Sequence, residues 1–230
     1  MLGTLQPPTA FHMPAPSNAH DMPVTLPVFP LQGALLLPGA RLPLNIFEPR
    51  YLAMIDDALA SHRTIGMIQP RTPEQIEASD HPDIYPLGCA GRVTSFEETG
   101  DGRYLISLTG ICRFSVTEEL PLKNGYRMVR ADYTQWASDF DHSSADSIDR
   151  DQLTKALKDY LTARQLDADW EALEKTPTDD LVAIVAMVCP FSAPEKQALL
   201  ESPTLTERAS LIISMLEMDS VSGMKSGSVN

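Results

Sequence analysis

The chain has 230 residues, of which 43% are hydrophobic, and its 31 acidic and 18 basic residues give a net charge of −13 at pH 7. No run approaches the roughly 20 consecutive apolar residues that span a bilayer, which argues against a membrane partner. Residues 131–219 hold 18 acidic but only 7 basic residues. Because phosphate neutralisation dominates nucleic-acid affinity, this balance argues against DNA or RNA as a partner.

The first 23 residues are predicted to form a disordered, proline-rich tail. They contain several prolines among polar residues and have no basic segment followed by an apolar one, so they do not resemble a signal peptide. Cys89, Cys112 and Cys189 are widely spaced and form no CxxC motif. We therefore expect buried, reduced thiols in a cytoplasmic protein, with neither disulfides nor a zinc site.

Residues 24–135 are predicted to be β-rich, because short apolar runs alternate with prolines and glycines. The first run contains Pro27 and ends at Pro30, and proline donates no ladder hydrogen bond. This strand should therefore lie at a sheet edge or be kinked. Helical spacing of apolar residues at 49–61 predicts one inserted helix, which begins at Pro49.

The best predicted hairpin pairs 92–96 with 104–108 around a turn that contains two glycines. Strands are also predicted at 64–69, 111–116 and 126–133, and Pro70 to Pro86 is predicted to be a loop. Six to eight irregular strands suit a small, partly closed barrel better than a sandwich.

Residues 145–218 are predicted to form a four-helix subdomain. Apolar residues recur at helical spacing, and Ser192 and Thr204 each precede a glutamate by three positions, the pattern of a capping box. Leu181 to Val188 is apolar around most of a helix circumference, which predicts the central, buried helix. Residues 219–230, rich in serine and glycine, are predicted to be a flexible tail.

Several motifs in this order and spacing resemble one known family. They are Leu26-Pro27-Val28-Phe29-Pro30-Leu31, Leu36-Leu37-Pro38-Gly39, Leu42-Pro43-Leu44-Asn45-Ile46-Phe47-Glu48-Pro49-Arg50-Tyr51, Tyr85-Pro86-Leu87-Gly88-Cys89-Ala90-Gly91-Arg92-Val93, Asp101-Gly102-Arg103-Tyr104 and Leu108-Thr109-Gly110-Ile111-Cys112-Arg113-Phe114. Together they resemble the N-terminal, substrate-binding domain of Lon proteases, in the form of the short stand-alone bacterial members. The resemblance covers about residues 22–216.

The resemblance implies an α+β fold, in which an N-terminal PUA-like pseudobarrel with one inserted helix is followed by a C-terminal helical bundle. In full-length Lon such a domain helps to capture unfolded substrates. The 230 residues contain no GxxxxGK[ST] phosphate-binding loop and no Ser–Lys peptidase domain. We therefore expect a non-enzymatic module that needs no cofactor or metal and binds unfolded or hydrophobic polypeptide segments. A protease or chaperone partner, adaptor activity and a weak homodimer are compatible with it.

The predicted polypeptide-binding residues are an apolar cluster near the opening motif: Phe29, Ile46, Phe47, Tyr51 and Met54. Most such residues are simply core, but exposed members, with the loop from Pro70 to Pro86, would form a groove for hydrophobic segments. The motif residues with predicted structural roles are Pro30, Gly39, Glu48, Pro49, Arg50, Gly88, Gly110 and Arg113.

The sequence leaves two other functions open, a cryptic hydrolase and an RNA-binding module. A cryptic hydrolase would need Cys89 or Cys112 to meet a histidine in space, although both cysteines lie in apolar, strand-like contexts. An RNA-binding module is suggested only by analogy with PUA-like folds and is disfavoured by the acidic charge.

Overall fold

The structure, a computed structural model, describes residues 16–71, 82–141 and 148–226. Six strands form one sheet: β1 Thr25–Pro30, β2 Arg41–Ile46, β3 Thr64–Pro70, β4 Ile84–Glu98, β5 Tyr104–Lys123 and β6 Tyr126–Asp132. Helix α1, Pro49–Leu59, lies between β2 and β3, and 3-10 turns cover Ala19–Asp21 and Thr134–Phe140. This confirms the predicted β-rich unit with one inserted helix.

The strand order is β2-β5-β4-β3-β1-β6, and a further pairing of β5 with β6 closes the sheet into a barrel. Closure is possible because β5 is long enough to pair with β2 through its first half and with β6 through its second. The strands predicted separately at 104–108 and 111–116 are therefore one strand. The predicted loop also begins and ends elsewhere, because Pro70 belongs to β3 and Pro86 to β4.

The prediction that the first strand lies at a sheet edge is wrong, because β1 sits between β3 and β6. Its two halves nevertheless have one neighbour each. Pro27 pairs with β6 opposite Met128, whereas Pro30 pairs with β3 opposite Ile68. Each proline therefore lies where a strand has a partner on one side only, and there a missing N–H group is tolerated.

Five helices follow the barrel in the described part of the chain: α2 Arg150–Ala163, α3 Trp170–Lys175, α4 Thr178–Val188, α5 Ala193–Glu201 and α6 Leu205–Ser226. The short α3 adds a helix to the four predicted. Helix α6 continues past Asp219, where the sequence predicts the flexible tail to begin. The predicted N-terminal tail falls mostly outside the described residues.

The helix at 178–188 is not the fully buried central helix that the sequence predicts. Leu181, Val182 and Val185 are buried, whereas Ile184 and Val188 are 42% and 75% exposed. One apolar core runs through barrel and bundle, and α2 and α6 pack on each other inside the bundle. Consequently α4 lies at the side of the bundle with one apolar face toward solvent.

Candidate functional site

Arg113 of β5 forms a buried ion pair where the barrel meets the bundle. Its Nη2 lies 2.7 Å from Asp139 Oδ1 and its Nε lies 3.0 Å from Oδ2, and the two side chains are 4% and 6% exposed. The guanidinium carbon also lies 4.0 Å from the ring centroid of Trp136. A two-point, charge-assisted contact of this kind fixes both distance and orientation.

The same guanidinium holds the end of α5. Nη1 donates to the carbonyl oxygens of Leu200 and Ser202 at 3.2 and 2.7 Å, and Nη2 donates to that of Pro203 at 3.4 Å. The carbonyls at a helix C-terminus lack partners inside the helix, so an arginine satisfies them well. Arg113 therefore joins the barrel to the turn between α5 and α6.

Two further side chains of α5 reach the barrel. Lys196 Nζ donates to the carbonyl oxygens of Gly33 and Met187 at 2.7 and 3.2 Å, and burial lowers its pKa. Gln197 Nε2 donates to the carbonyl oxygen of Leu87 at 3.3 Å. Because these bonds end on backbone atoms, they fix the position of the bundle on the barrel.

Arg208 of α6 is buried but only partly paired. Arg208 is 7% exposed, and its Nε donates to the carbonyl oxygen of Leu199 at 2.7 Å. Within the described residues its two Nη atoms have no hydrogen-bond partner. Burial, and secondarily the charge of Arg113, lowers its pKa to about 10, so it stays protonated at neutral pH.

Arg208 lines a cleft of about 410 Å³ between the barrel and the bundle. We call it the acidic cleft, because four aspartates line it with only two arginines. The charged residues of its wall are Arg113, Asp139, Asp141, Asp179, Asp180 and Arg208. Asp141, Asp179 and Asp180 are exposed, so the rim is negative while a positive group lies deeper in the wall.

A second opening of about 620 Å³, here called the apolar cleft, lies beside the first. One wall is the turn at Gly39, Ala40 and Arg41, and the other includes Ile184 and Val188 of α4. The two clefts share Gly39, Ala40, Asp180 and Ala183, so they form one continuous groove. The groove is therefore acidic at one end and more apolar at the other, where Arg41 and Lys175 also line it.

The apolar cluster predicted from the sequence is mostly inside the barrel. Phe29, Ile46, Tyr51 and Met54 are buried, and the rings of Phe29 and Tyr51 lie 4.2 Å apart between centroids. Phe47 is the exception at 63% exposed. Of the loop predicted to complete this site, residues 72–81 lie outside the described part of the chain.

Strand β2 connects the groove to Phe47. Arg41 at its start lines the apolar cleft, and Phe47 follows its last residue. Side chains of a strand alternate between faces, and Arg41, Pro43, Asn45 and Phe47 are all exposed. Among the described strands β2 pairs with β5 alone, so its other edge has no strand beside it.

The glycine and proline motif residues have backbone roles. Gly39 has a φ of +78° in the turn before β2, a conformation that other residues rarely adopt. At Gly110 a Cβ would collide with the backbone of Leu37, and at Gly88 it would lie 2.6 Å from the Met67 carbonyl oxygen. These close approaches let β4 and β5 pass beneath neighbouring backbone.

The three residues at the entrance of α1 act locally. Glu48 precedes the helix, Pro49 is its first residue, and Arg50 Nε donates to Glu48 Oε2 at 2.9 Å. The Arg50 guanidinium carbon also lies 4.8 Å from the ring centroid of Tyr51. The structural role predicted for Glu48 and Arg50 stays a prediction.

The geometry opposes a thiolate nucleophile. All three cysteines are buried free thiols. Burial raises the pKa of Cys89 well above its ordinary value and that of Cys112 to about 12. Within the described ranges no cluster of three or more potential metal ligands occurs, and no helix has the length and apolarity that crossing a bilayer requires.

Sequence reasoning missed Arg208 and the exposed face of α4. Arg208 precedes the buried Ile212 by four positions and Leu216 by eight, which places a charge on the buried face of α6. That charge was the available signal. For α4 there was none, because an almost wholly apolar run does not indicate which face is covered.

Residues 25–218 match the family model described as the ATP-dependent protease La (LON) substrate-binding domain. The chain is similar to Lon protease 2 of Myxococcus xanthus, with 29% identity over 218 residues, which are 91% of this chain and 25% of that protein. It is also similar to Lon protease of Anaeromyxobacter dehalogenans, with 28% identity, 86% of this chain and 24% of that protein. It thus spans about a quarter of the length of these relatives.

Two solved structures have the same fold. One is a Lon N-terminal domain protein from Xanthomonas campestris, with 23% identity, a TM-score of 0.56, and coverage of 83% of this chain and 97% of that chain. The other is the N-terminal domain of Mycobacterium avium complex Lon protease, with 16% identity, a TM-score of 0.58, and coverage of 84% and 98%. Because the family model matches most of its length, the chain belongs to the LON substrate-binding domain family.

Proposed function

We propose that this chain is a non-catalytic module that binds unfolded or hydrophobic polypeptide segments in the groove between barrel and bundle. The observation that carries the proposal is the apolar cleft, an open space of about 620 Å³ with Ile184 and Val188 exposed on one wall. Exposed aliphatic side chains grouped at a concave surface are typical of binding sites. An extended segment could cover them without displacing any part of the core.

The predicted cluster contributes a second contact in this proposal. Phe47 offers an exposed ring, while Phe29, Ile46, Tyr51 and Met54 are buried in the core. At about 3.3 Å per residue, β2 separates Phe47 from the apolar cleft by roughly 20 Å. A segment of about six extended residues would reach from one to the other along the outer edge of β2.

A role in protein quality control rests on the relatives. The two bacterial relatives named above carry the name Lon protease, and this chain matches about a quarter of each. We propose that bound segments are passed to a protease, with this chain acting as an adaptor. A protease that captures the chain only in the presence of an unfolded client would support this, whereas failure of client transfer would remove the adaptor role.

The direct test is equilibrium binding to a reduced, unfolded model polypeptide and to its folded form, measured by fluorescence anisotropy without nucleotide. We expect binding to the unfolded form, little binding to the folded form, and an intact polypeptide after long incubation. Equal binding to both forms, or to neither, would contradict substrate capture. Cleavage would contradict the non-catalytic assignment.

Surface variants test the location of binding. Ile184→Ser with Val188→Ser should weaken binding of the unfolded polypeptide, and Phe47→Ser should weaken it independently. Leu122→Ser is the matched control, because Leu122 is 48% exposed on the hairpin between β5 and β6. Unfolding curves of all variants should overlay, since exposed substitutions cost about 0.5 kcal/mol or less. Equal binding by all four proteins would place the site elsewhere.

A further inference from the structure

The groove has a charge pattern that selects among polypeptides, and the inference drawn from it rests on the proposed function. Arg208 is a buried guanidinium whose Nη atoms have no partner in the described residues, although the residue lines the acidic cleft. Because these Nη atoms are not fully buried and the residue lines the open cleft, their donors are available to a ligand that brings an acceptor. A peptide carbonyl oxygen is such an acceptor.

The rim of the same cleft favours a ligand with the opposite charge. Asp141, Asp179 and Asp180 are exposed there, and Asp139 is already neutralised by Arg113. An anionic ligand would approach Arg208 past three carboxylates, which disfavours free phosphate or a carboxylate. A chain that combines a neutral carbonyl with a basic side chain satisfies both groups.

From this geometry we infer that the groove selects segments in which a lysine or arginine adjoins an apolar stretch. The basic side chain pairs with Asp179 and Asp180, a nearby backbone carbonyl accepts from Arg208, and the apolar side chains lie against Ile184 and Val188 in the apolar cleft. Asp180 belongs to both clefts, so the charged and apolar contacts are adjacent. The chemical class of the ligand is therefore a basic-apolar polypeptide segment.

The test uses three unfolded peptides of identical apolar sequence, with lysines, glutamines or glutamates at the flanking positions. Exposed ion pairs contribute about 0.2–1 kcal/mol each, so the lysine peptide should bind about five-fold more tightly than the glutamine peptide. The glutamate peptide should bind more weakly than either. Added salt should reduce these ratios because the rim is exposed.

The double variant Asp179→Asn, Asp180→Asn should bind the lysine and glutamine peptides with equal affinity. Asp151→Asn is the matched control, since Asp151 is exposed in the first turn of another helix, α2, and does not line the groove. Its lysine preference should be that of the unmodified protein. A preference that survives the double variant would overturn the inference.

The outcomes of the peptide test distinguish the claim of charge selection from the claim of polypeptide binding. Binding of all three peptides with equal affinity would overturn the charge selection but leave polypeptide binding intact, whereas no binding of any peptide would contradict the proposed function. Arg208→Lys retains the charge but lacks the planar pair of Nη donors. This variant should therefore bind the lysine peptide and the glutamine peptide several-fold more weakly, by the same factor for both. Unchanged affinities in a folded variant would remove Arg208 from the site, and if this variant fails to fold, the aspartate variants still decide the charge selection.

Discussion

Arg113 crosses the boundary between barrel and bundle with hydrogen bonds to three carbonyl oxygens at the end of α5. Arg113→Met would remove the charge partner of the buried Asp139, which keeps the hydrogen bond from the backbone N–H of residue 113, and breaking one side of a buried pair costs about 3–5 kcal/mol of stability. Urea denaturation followed by circular dichroism should show this loss. The double variant Arg113→Met, Asp139→Leu should recover part of it, because the buried Asp139 carboxylate that lost its charge partner is then removed as well. A double variant as unstable as the sum of the single variants would contradict this account.

Gly110 tests a steric requirement at the same scale. A Cβ there would meet the backbone of Leu37 and Pro38, which cannot move aside as a flexible side chain can. We expect Gly110→Ala to lower the free energy of unfolding by about 1–3 kcal/mol, the usual cost of overpacking. Gly100→Ala is the control, because nothing lies within 4 Å of its Cβ position. Equal unfolding midpoints for the two variants would refute the close approach.

Single residues also show what the sequence could reveal. Arg113 was assigned a structural role from its motif, yet its partner Asp139 lies 26 positions away in a segment with no regular pattern. The sequence left residues 29, 46, 51 and 54 as either core or site, because distinguishing the two needs the packing around them. Of the five residues of that predicted cluster, only Phe47 is exposed.

At the scale of elements, the start of α5 depends on its capping box. The Ser192 hydroxyl accepts from Glu195 N at 3.4 Å, and Ser192 N donates to Glu195 Oε2 at 2.7 Å. Ser192→Ala should therefore cost about 1 kcal/mol. Ser214→Ala, within α6, should cost about 0.5 kcal/mol or less and serves as the control. Thermal unfolding of both proteins checks the difference, and identical melting temperatures would show that the cap is dispensable.

Local sequence patterns predicted where the helices and strands lie better than they predicted which elements pack or pair with one another. Alternation and turn residues located the hairpin of β4 and β5, and the capping-box patterns at Ser192 and Thr204 located the starts of α5 and α6. Pairing partners are set by contacts distant in sequence, so the position of β1 inside the sheet was not readable from its prolines. The exposed face of α4 was missed for the same reason, because neighbouring elements decide which apolar face is covered.

At the scale of the whole molecule, the buried cysteine thiols and tyrosine hydroxyls determine how stability responds to alkaline pH. Burial raises the pKa of Cys112 to about 12 and that of Cys189 to about 11, from an ordinary 9.0, and it also raises the pKa of Tyr133. Above pH 9 the unfolded chain therefore loses protons that the folded chain keeps. The free energy of unfolding should fall as pH rises from 9 to 11, by about 1.4 kcal/mol per pH unit for each proton difference.

Lys196 and Arg208 change the stability in the opposite direction, because their lowered pKa values make the folded chain release protons before the unfolded chain does. The thiols and tyrosines with raised pKa values outnumber these two cations, so the net effect should remain a loss of stability. Urea midpoints measured between pH 7 and pH 11 test this expectation, and Cys112→Ala should make the decline shallower. A midpoint that rises with pH would show that the buried cations dominate.

The central claim is that an unfolded polypeptide lies in the groove and reaches along β2. The most direct measurement is photo-crosslinking from a photoreactive residue placed singly at Val188, Phe47 or Leu122, all of which are exposed. With a reduced, unfolded polypeptide, the account predicts strong crosslinks from the first two positions and background labelling from Leu122. Equal labelling from all three, or binding without any crosslink from Val188, would contradict it.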